Sequence, residues 1–198
     1  MSTNVYQAPH ANLVIETDTD DQMFYIVSPK KFWVLFISTL GLYGIYWFYK
    51  NWALYKDATQ GSLWPVPRAI FSIFFTHSLF RNINKELEKE EPDANWGHAG
   101  LATFYVIISL FERMADEFVA QSLGDTASTL LTLIIIPVTA WILYQAQLKI
   151  NIVCDAVGGE DNANFTPANI IWIVLGSLLW LVVIASLFVI NNPAILGM

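Results

Sequence analysis

The charged residues of this chain are confined to short stretches between long uncharged segments. Five segments contain no Asp, Glu, Lys or Arg, and together they hold more than half of the 198 residues. Charged residues make up 14% of the chain, against roughly 25% in a typical soluble domain. Their segregation excludes a soluble globular domain, a coiled coil and a disordered chain, and it predicts an integral membrane protein. The uncharged segments are residues 32–49, 69–80, 94–111, 126–148 and 162–198.

The rest of the composition excludes several kinds of chemistry. The single cysteine, Cys154, permits no intramolecular disulfide and no cysteine-based metal site. The three histidines are too far apart in sequence to suggest a multi-histidine centre, and no glycine-rich phosphate loop, GxSxG or HExxH motif is present. A net charge of −7 argues against a nucleic acid partner. We therefore predict no catalytic residues, no metal and no cofactor.

The uncharged segments predict an all-α, polytopic membrane protein with about four membrane helices and one amphipathic helix that is interfacial or cytoplasmic. We expect a mobile polar tail over residues 1–28 and a single helical membrane domain over residues 29–198. Ser28 and Pro29 have the residue types of a helix start. The predicted membrane segments are residues 32–50, 98–112, 127–148 and 169–190, and the amphipathic helix covers residues 68–91.

The first membrane segment has two interpretations. Gly41 and Gly44 either allow close helix packing or break the helix. Because cytoplasmic loops collect Lys and Arg, a spanning segment places the tail outside and seven of the ten basic residues inside. A re-entrant segment, which enters and leaves on the same face, places nine of the ten inside. Both interpretations put residues 149–167 in the cytoplasm and the C-terminus in the periplasm.

A weak internal repeat relates residues 32–49 to residues 130–147. The sequence Asp-Ala-x-x-Gly, which begins at Asp57, recurs at Asp155. Parallel repeats of this kind occur in transporters. Two unrelated helix–turn–helix units in a membrane would give the same pattern.

Five residues are candidate ligand-binding side chains. His77, Arg81 and Asn82 lie on or near one helical face, where the apolar half of residues 68–91 meets the charged half. Such a cluster could bind a lipid headgroup or an anionic ligand, although a helix that emerges into water, with Arg81 extended toward the interface, is the simpler interpretation. Tyr43 and Trp47 belong to an aromatic cluster that could bind a lipid, a quinone or a pigment, or could serve packing and anchoring.

Charged residues follow the third uncharged segment directly, beginning with Glu112 and Arg113. A carboxylate inside the membrane would indicate a proton or cation path. We expect instead that these residues mark the membrane interface and end the span.

Several stretches resemble known proteins. NVYQAPHANL, residues 4–13, is similar to the NPYxAPxA opening of many bacterial membrane proteins. STLGLYGIYWFYKNW (residues 38–52), FFTHSLFRNIN (74–84) and residues 164–182 resemble a family of small proteobacterial inner-membrane proteins with the signature TLGxYGxYWFYKNW. The resemblance covers most of the chain and implies a bacterial inner-membrane location. It implies no activity and no catalytic residue.

These features favour a non-catalytic accessory or scaffold subunit that acts through helix–helix contacts. Its partners would be the lipid bilayer and either another membrane protein or a second copy of the chain. One alternative is a small transporter or channel, which is favoured by the weak repeat, by Pro137 in the third span and by the possible break at Gly41 and Gly44. The other is a lipid- or quinone-binding protein that uses His77 and Arg81.

Overall fold

The structure is a computed structural model that describes residues 22–192, without the side chains of residues 115–117. The described residues are all helical apart from loops and one extended segment, and they include no β-strand. The expected all-α class is therefore confirmed. In chain order the α-helices are α1 (Pro29–Ser38), α2 (Tyr43–Thr59), α3 (Pro65–Ile70), α4 (Ser72–Glu90), α5 (His98–Leu123), α6 (Asp125–Val153) and α7 (Pro167–Ile190), with a short 3₁₀ helix at Glu160–Asn162.

Two helices, α6 and α7, are long and apolar enough to cross a membrane. Their 29 and 24 residues measure about 44 and 36 Å at 1.5 Å per residue, more than the roughly 30 Å of a hydrocarbon core. Their mean hydropathies are 1.9 and 2.8. Helix α6 continues through Pro137, and α7 begins with a capping box between Thr166 and Asn169. They correspond to the predicted spans at residues 127–148 and 169–190.

Helix α5 continues well beyond the predicted segment at residues 98–112. It runs to Leu123 and ends at Gly124, whose φ of 87° is unfavourable for other residues. Gly124 alone connects it to α6, and the two helices pack closely as an antiparallel hairpin. The charges that begin at Glu112 therefore do not end the helix, because packing against α6 extends it.

The predicted first membrane segment is two helices separated by a break at residues 39–42. Leu40 and Gly41 have φ values of 52° and 86°, which no α-helix accommodates. The Thr39 hydroxyl donates to the Leu35 carbonyl at 2.7 Å and accepts from the Tyr43 N–H at 3.0 Å, which bridges the break. Helix α1 has 10 residues, or about 15 Å, so it is too short to span a membrane.

The break packs against the middle of α7. The Trp180 indole donates to the Ile37 carbonyl at 2.9 Å. A Cβ atom on Gly176 would lie 2.1 Å from the carbonyl oxygen of Ser38. Gly176 and Trp180 stand 9 and 13 residues after Pro167, which is about 14 and 20 Å along the helix. The end of α1 therefore packs near the midpoint of α7.

The predicted amphipathic helix at residues 68–91 is also two helices, with α3 ending and α4 beginning on either side of Phe71. The expected amphipathic pattern is present in α4. Its apolar stripe of Phe80, Ile83 and Leu87 is fully buried. The opposite side chains, among them Arg81, are exposed. The stripe packs toward α5 and α6, so protein covers it.

The structure differs from the predicted tail at residues 23–28, which form an extended segment. Its residues from Phe24 to Ser28 are buried, whereas residues 1–21 lie outside the described part of the chain. Side-chain amides bind its backbone. The Tyr25 N–H donates to Asn51 at 3.1 Å, and Gln147 donates to the Tyr25 carbonyl at 2.9 Å. Asn151 bonds to both the N–H and the carbonyl of Val27. Amides thus replace the neighbouring strand that an extended backbone needs.

The α6–α7 loop holds the same segment from another side. Asn162 donates to the Ile26 carbonyl at 2.8 Å. Lys31, which is 1% exposed, donates its ammonium protons to Asn162 at 2.5 Å and to the Asn164 carbonyl at 2.7 Å. Burial lowers the pKa of Lys31. The start of α1 and the α6–α7 loop therefore lie together at one end of the molecule.

The two halves of the proposed repeat have different local structures. Asp57 lies inside α2. Asp155 follows the end of α6 and has a φ of 53°, in the left-handed region. The shared Asp-Ala-x-x-Gly sequence therefore does not mark equivalent positions.

Candidate functional site

A cleft of about 510 Å³ lies where the α1–α2 break, α3 and the start of α7 meet. Its volume is within the range of small-molecule sites, roughly 300–1,000 Å³. Its wall carries no charged side chain and is mostly aliphatic and aromatic. The lining residues are Leu35, Thr39, Leu42, Tyr43, Ile45, Tyr46, Tyr49, Val66, Ala69, Ile70, Thr166, Ala168, Asn169 and Trp172.

Local sequence signals explain why the α1–α2 break and the starts of α3 and α7 surround the cleft. The left-handed pair Leu40–Gly41 turns the chain between α1 and α2. Pro65 and Pro67 lie in the first turn of α3, and Pro167 occupies the first position of α7. Proline is favoured at helix starts because its missing N–H would have no helical partner there. The cleft is therefore built from a helix break and two helix N-termini.

The mouth of the cleft is open to the molecular surface. Ile45, Ile70 and Trp172 line it, and each is about half exposed. Trp172 belongs to α7, most of whose large apolar side chains are exposed. The apolar wall of the cleft is thus continuous with the exposed side of a helix that could cross a membrane.

One buried polar group of the cleft lacks a hydrogen-bond partner among the described residues, whereas the side chains of Tyr46 and Tyr49, which also line the cleft, are exposed. Thr39 already bonds within the α1–α2 break, and Thr166 and Asn169 bond to each other. The Tyr43 hydroxyl is buried near Tyr25 but lacks hydrogen-bond geometry with it, and it has no partner among the described residues. An unsatisfied buried hydroxyl costs roughly 1–3 kcal/mol, so a ligand acceptor at Tyr43 would recover that energy.

The structure places the two predicted aromatic site residues differently. Tyr43 lines the cleft. Trp47 is fully buried, and its indole N–H donates to Gln147 Oε1 at 2.5 Å. Trp47 therefore supports the amide cluster around residues 23–28 and is not accessible to a ligand.

The other three predicted site residues lie on α4. His77 is exposed and its Nε2 is 3.1 Å from the Thr103 hydroxyl of α5. Arg81 is exposed and Asn82 is half-buried. None of the three lines the cleft, so the structure does not unite the five predicted residues in one site.

The sequence prediction missed most of the cleft. Tyr46 was within the aromatic cluster that contains Tyr43, and helical spacing puts Tyr49, which was not assigned to that cluster, on a related face. The contributions of Ile70 and Trp172 had no sequence signal, because only tertiary structure brings α3 and α7 together.

Metal ligands do not cluster in the described part of the chain, where no three His, Cys, Asp or Glu side chains could hold an ion. The free thiol of Cys154 is half-buried and lies 3.8 Å from the Phe24 carbonyl, outside the cleft. Burial raises the pKa of this thiol, which disfavours the reactive thiolate.

Comparisons with models of known protein families, with curated protein sequences and with solved structures found no match to this chain.

Proposed function

We propose that this protein is a non-catalytic, multi-pass protein of the bacterial inner membrane that binds a lipophilic molecule in the cleft beside Tyr43. The observation that carries the proposal is the cleft itself, which has a volume of about 510 Å³ and an uncharged wall. Its lining includes one residue with a buried, unpartnered hydroxyl. Binding sites for small molecules typically combine apolar walls with few polar groups. The bacterial location rests on the resemblance of residues 38–52.

The ligand we propose has a long apolar part and a carbonyl group. Aliphatic and aromatic walls favour hydrocarbon, and a carbonyl oxygen would accept a hydrogen bond from the Tyr43 hydroxyl. The ester of a glycerolipid and the carbonyl of a quinone both meet this requirement. The open mouth beside Trp172 would admit either one laterally from the bilayer.

For the membrane arrangement, we propose that α6 and α7 cross the bilayer and that α1 and α2 form a re-entrant hairpin. The contacts of Lys31 with the α6–α7 loop support entry of α1 on the side of that loop. The contact between Tyr25 and Asn51 supports the return of α2 to the same side. This arrangement agrees with nine of the ten basic residues lying in the cytoplasm, and it puts the C-terminus in the periplasm.

The ligand proposal is tested by extraction in mild detergent followed by mass spectrometry of bound lipids and quinones. We expect one lipophile to be enriched over its level in the surrounding membrane. Tyr43→Phe, which removes one hydrogen bond of about 1 kcal/mol, should lower its occupancy about fivefold. Ile45→Trp fills the cleft from an exposed position and should abolish binding.

Tyr144→Phe is the control, because Tyr144 is also aromatic but does not line the cleft. The chemical identity of the enriched molecule distinguishes a glycerolipid from a quinone. If no lipophile is enriched, or if Ile45→Trp retains it fully, the cleft is not a binding site.

An accessory role through helix–helix contacts is a second candidate. It is favoured by α7, whose buried residue is Gly176 and whose other side chains are partly or fully exposed. A stoichiometric membrane partner that is cross-linked to α7 in native membranes would support it. The transporter alternative has weaker support, since the repeat is not structural and the buried amides Asn51, Gln147 and Asn151 are engaged with residues 23–28.

A further inference from the structure

Arg68 of α3 is held in position by two aromatic rings. Its guanidinium carbon lies 4.4 Å from the ring centroid of Trp52 in α2 and 4.9 Å from that of Phe75 in α4. The Trp52 ring is fully buried, while Arg68 and Phe75 are half-buried. A guanidinium is attracted to the face of an aromatic ring, so these contacts fix the charged end of Arg68 against α2 and α4.

The charge of Arg68 is not paired within the described part of the chain. There, no carboxylate forms an ion pair with it and no acceptor takes its N–H protons. Lys31 differs, because its ammonium group bonds to Asn162 and to the Asn164 carbonyl. Aromatic rings contact the flat face of a guanidinium, whereas its five N–H groups point outward in its plane. Arg68 therefore presents positioned donors that no described residue uses.

Arg68 lies near the end of the molecule where α6 stops and α7 begins. The residue before Trp52 is Asn51, which accepts from the Tyr25 N–H at 3.1 Å. The extended segment that contains Tyr25 is also bound by Asn162 of the α6–α7 loop. In the proposed arrangement, on which this inference rests, α6 and α7 cross the bilayer. Arg68 is then level with the cytoplasmic headgroups, where the phosphates of the lipids lie.

Exposed apolar side chains flank Arg68 along the chain. Val66, Ile70, Phe71 and Phe74 are 54% to 76% exposed. Apolar side chains beside a basic residue are typical of segments that lie at the boundary between headgroups and acyl chains. Basic pockets on the cytoplasmic side of membrane helices are typical binding sites for phospholipid headgroups.

We propose that Arg68 binds a phosphate group at the cytoplasmic surface of the membrane. Arginine suits this ligand because its fork of N–H groups donates to two phosphate oxygens at once. A phospholipid headgroup and a free phosphate compound present the same oxygens, and the flanking apolar side chains favour the lipid. The site is separate from the cleft, which Arg68 does not line.

The test compares the affinity of the full chain, purified in an uncharged mild detergent, for three probes. They are dioctanoyl phosphatidylglycerol, dioctanoylglycerol, which has the same acyl chains without the phosphate, and inorganic phosphate. Microscale thermophoresis measures each affinity. Arg68→Met removes the charge but keeps an unbranched chain that can pack on the two rings, and Arg68→Gln is a second variant should the first fail to fold. Lys85→Met is the matched control, because it removes a positive charge from an exposed position of α4.

We expect the unsubstituted chain to bind dioctanoyl phosphatidylglycerol at least about tenfold more tightly than dioctanoylglycerol. Arg68→Met and Arg68→Gln should each lower the affinity for the phospholipid about tenfold, the effect of ~1.4 kcal/mol. Lys85→Met should leave it unchanged. Inorganic phosphate that binds as tightly as the phospholipid, and through Arg68, would support the site and assign it to a free phosphate compound. Weaker binding of inorganic phosphate would assign it to the lipid.

Unchanged affinity for the phospholipid in the Arg68 variants would overturn the proposal. An equal loss in Lys85→Met would overturn it as well, since it would indicate a general attraction between charges. Equal affinities for the two dioctanoyl probes, or no binding of phospholipid and phosphate, would show that no phosphate is recognised. Acyl chains that enter the cleft contribute equally to both dioctanoyl probes, so the difference between these probes reports on Arg68 alone. Failure of the cleft proposal appears instead in the analysis of extracted lipids.

Discussion

Asn51, Gln147, Asn151 and Asn162 show how single side chains determine the position of residues 23–28. Each is an uncharged polar residue that bonds to backbone or amide groups of that segment or its neighbours. From the sequence, Gln147 was one polar residue at the end of a predicted span, and the asparagines were loop residues. Nothing in their spacing indicated a common partner, because the partners are more than 20 residues away.

Lys31 leads to a pH prediction. Burial lowers its pKa below 10.5, so at alkaline pH the folded state binds fewer protons than the unfolded state. The free energy of unfolding contributed by Lys31 should therefore increase as pH rises from the lowered pKa toward 10.5. Lys31→Met removes this trend.

The measurement is denaturant unfolding in detergent from neutral pH to pH 10.5, with both proteins carrying Cys154→Ser. That background is needed because the raised pKa of the Cys154 thiol gives the opposite trend, a loss of stability as pH rises above 9.0. If the difference in free energy of unfolding between the two proteins does not change with pH, Lys31 is not buried as described.

The elements differ in how far the sequence defined them. The lengths of α6 and α7 followed from uninterrupted apolar runs, and the Ser28 side chain caps α1 as expected, accepting from the Lys31 N–H. The interruptions at residues 39–42 and at Phe71 were less predictable. Gly41 permitted a break without requiring one, and Phe71 is not a helix breaker by type. Both depend on the packing of the flanking helices.

Gly176 leads to a prediction about the contact between α1 and α7. A Cβ atom there would overlap the Ser38 carbonyl, so Gly176→Ala should separate the break from α7. We expect a loss of about 1–3 kcal/mol, typical of overpacking, and a lower melting temperature in detergent. Because Trp180 bonds at the same contact, its fluorescence should shift as well.

Gly100→Ala is the matched control, since a Cβ atom at Gly100 meets no atom within 4 Å. It should leave the melting temperature unchanged or raise it slightly, because alanine favours a helix more than glycine does. Equal effects of the two substitutions would mean that the close approach at Gly176 is not formed.

For the whole molecule, the segregation of charges was enough to predict an all-helical chain with membrane-compatible helices. The cleft was beyond sequence reasoning because residues from 35 to 172 form it. The charges at Glu112 were interpreted as an interface, since a sequence does not reveal which residues are level with each other across a hairpin. The one-residue turn at Gly124 determines which residues of α5 and α6 are level with each other, but only if the two helices are known to pack along their lengths.

The re-entrant arrangement predicts that the start of α1 and the α6–α7 loop lie on the same side of the membrane. In a Cys154→Ser background, Lys30→Cys and Asp161→Cys are both exposed positions. A membrane-impermeant maleimide should label both in inverted vesicles and neither in intact cells. Labelling from opposite sides would show that residues 32–50 span the membrane.

The contacts of residues 23–31 also bear on the order in which the protein is assembled. Val27 bonds to a residue 124 positions later, and Lys31 to one 131 positions later. The ribosome therefore releases this segment long before its partners exist, and long-range contacts of this kind form slowly. The α1–α2 hairpin must wait, unanchored, until α6 and the loop after it have been translated. The beginning of α1 is thus made early and fixed in place late.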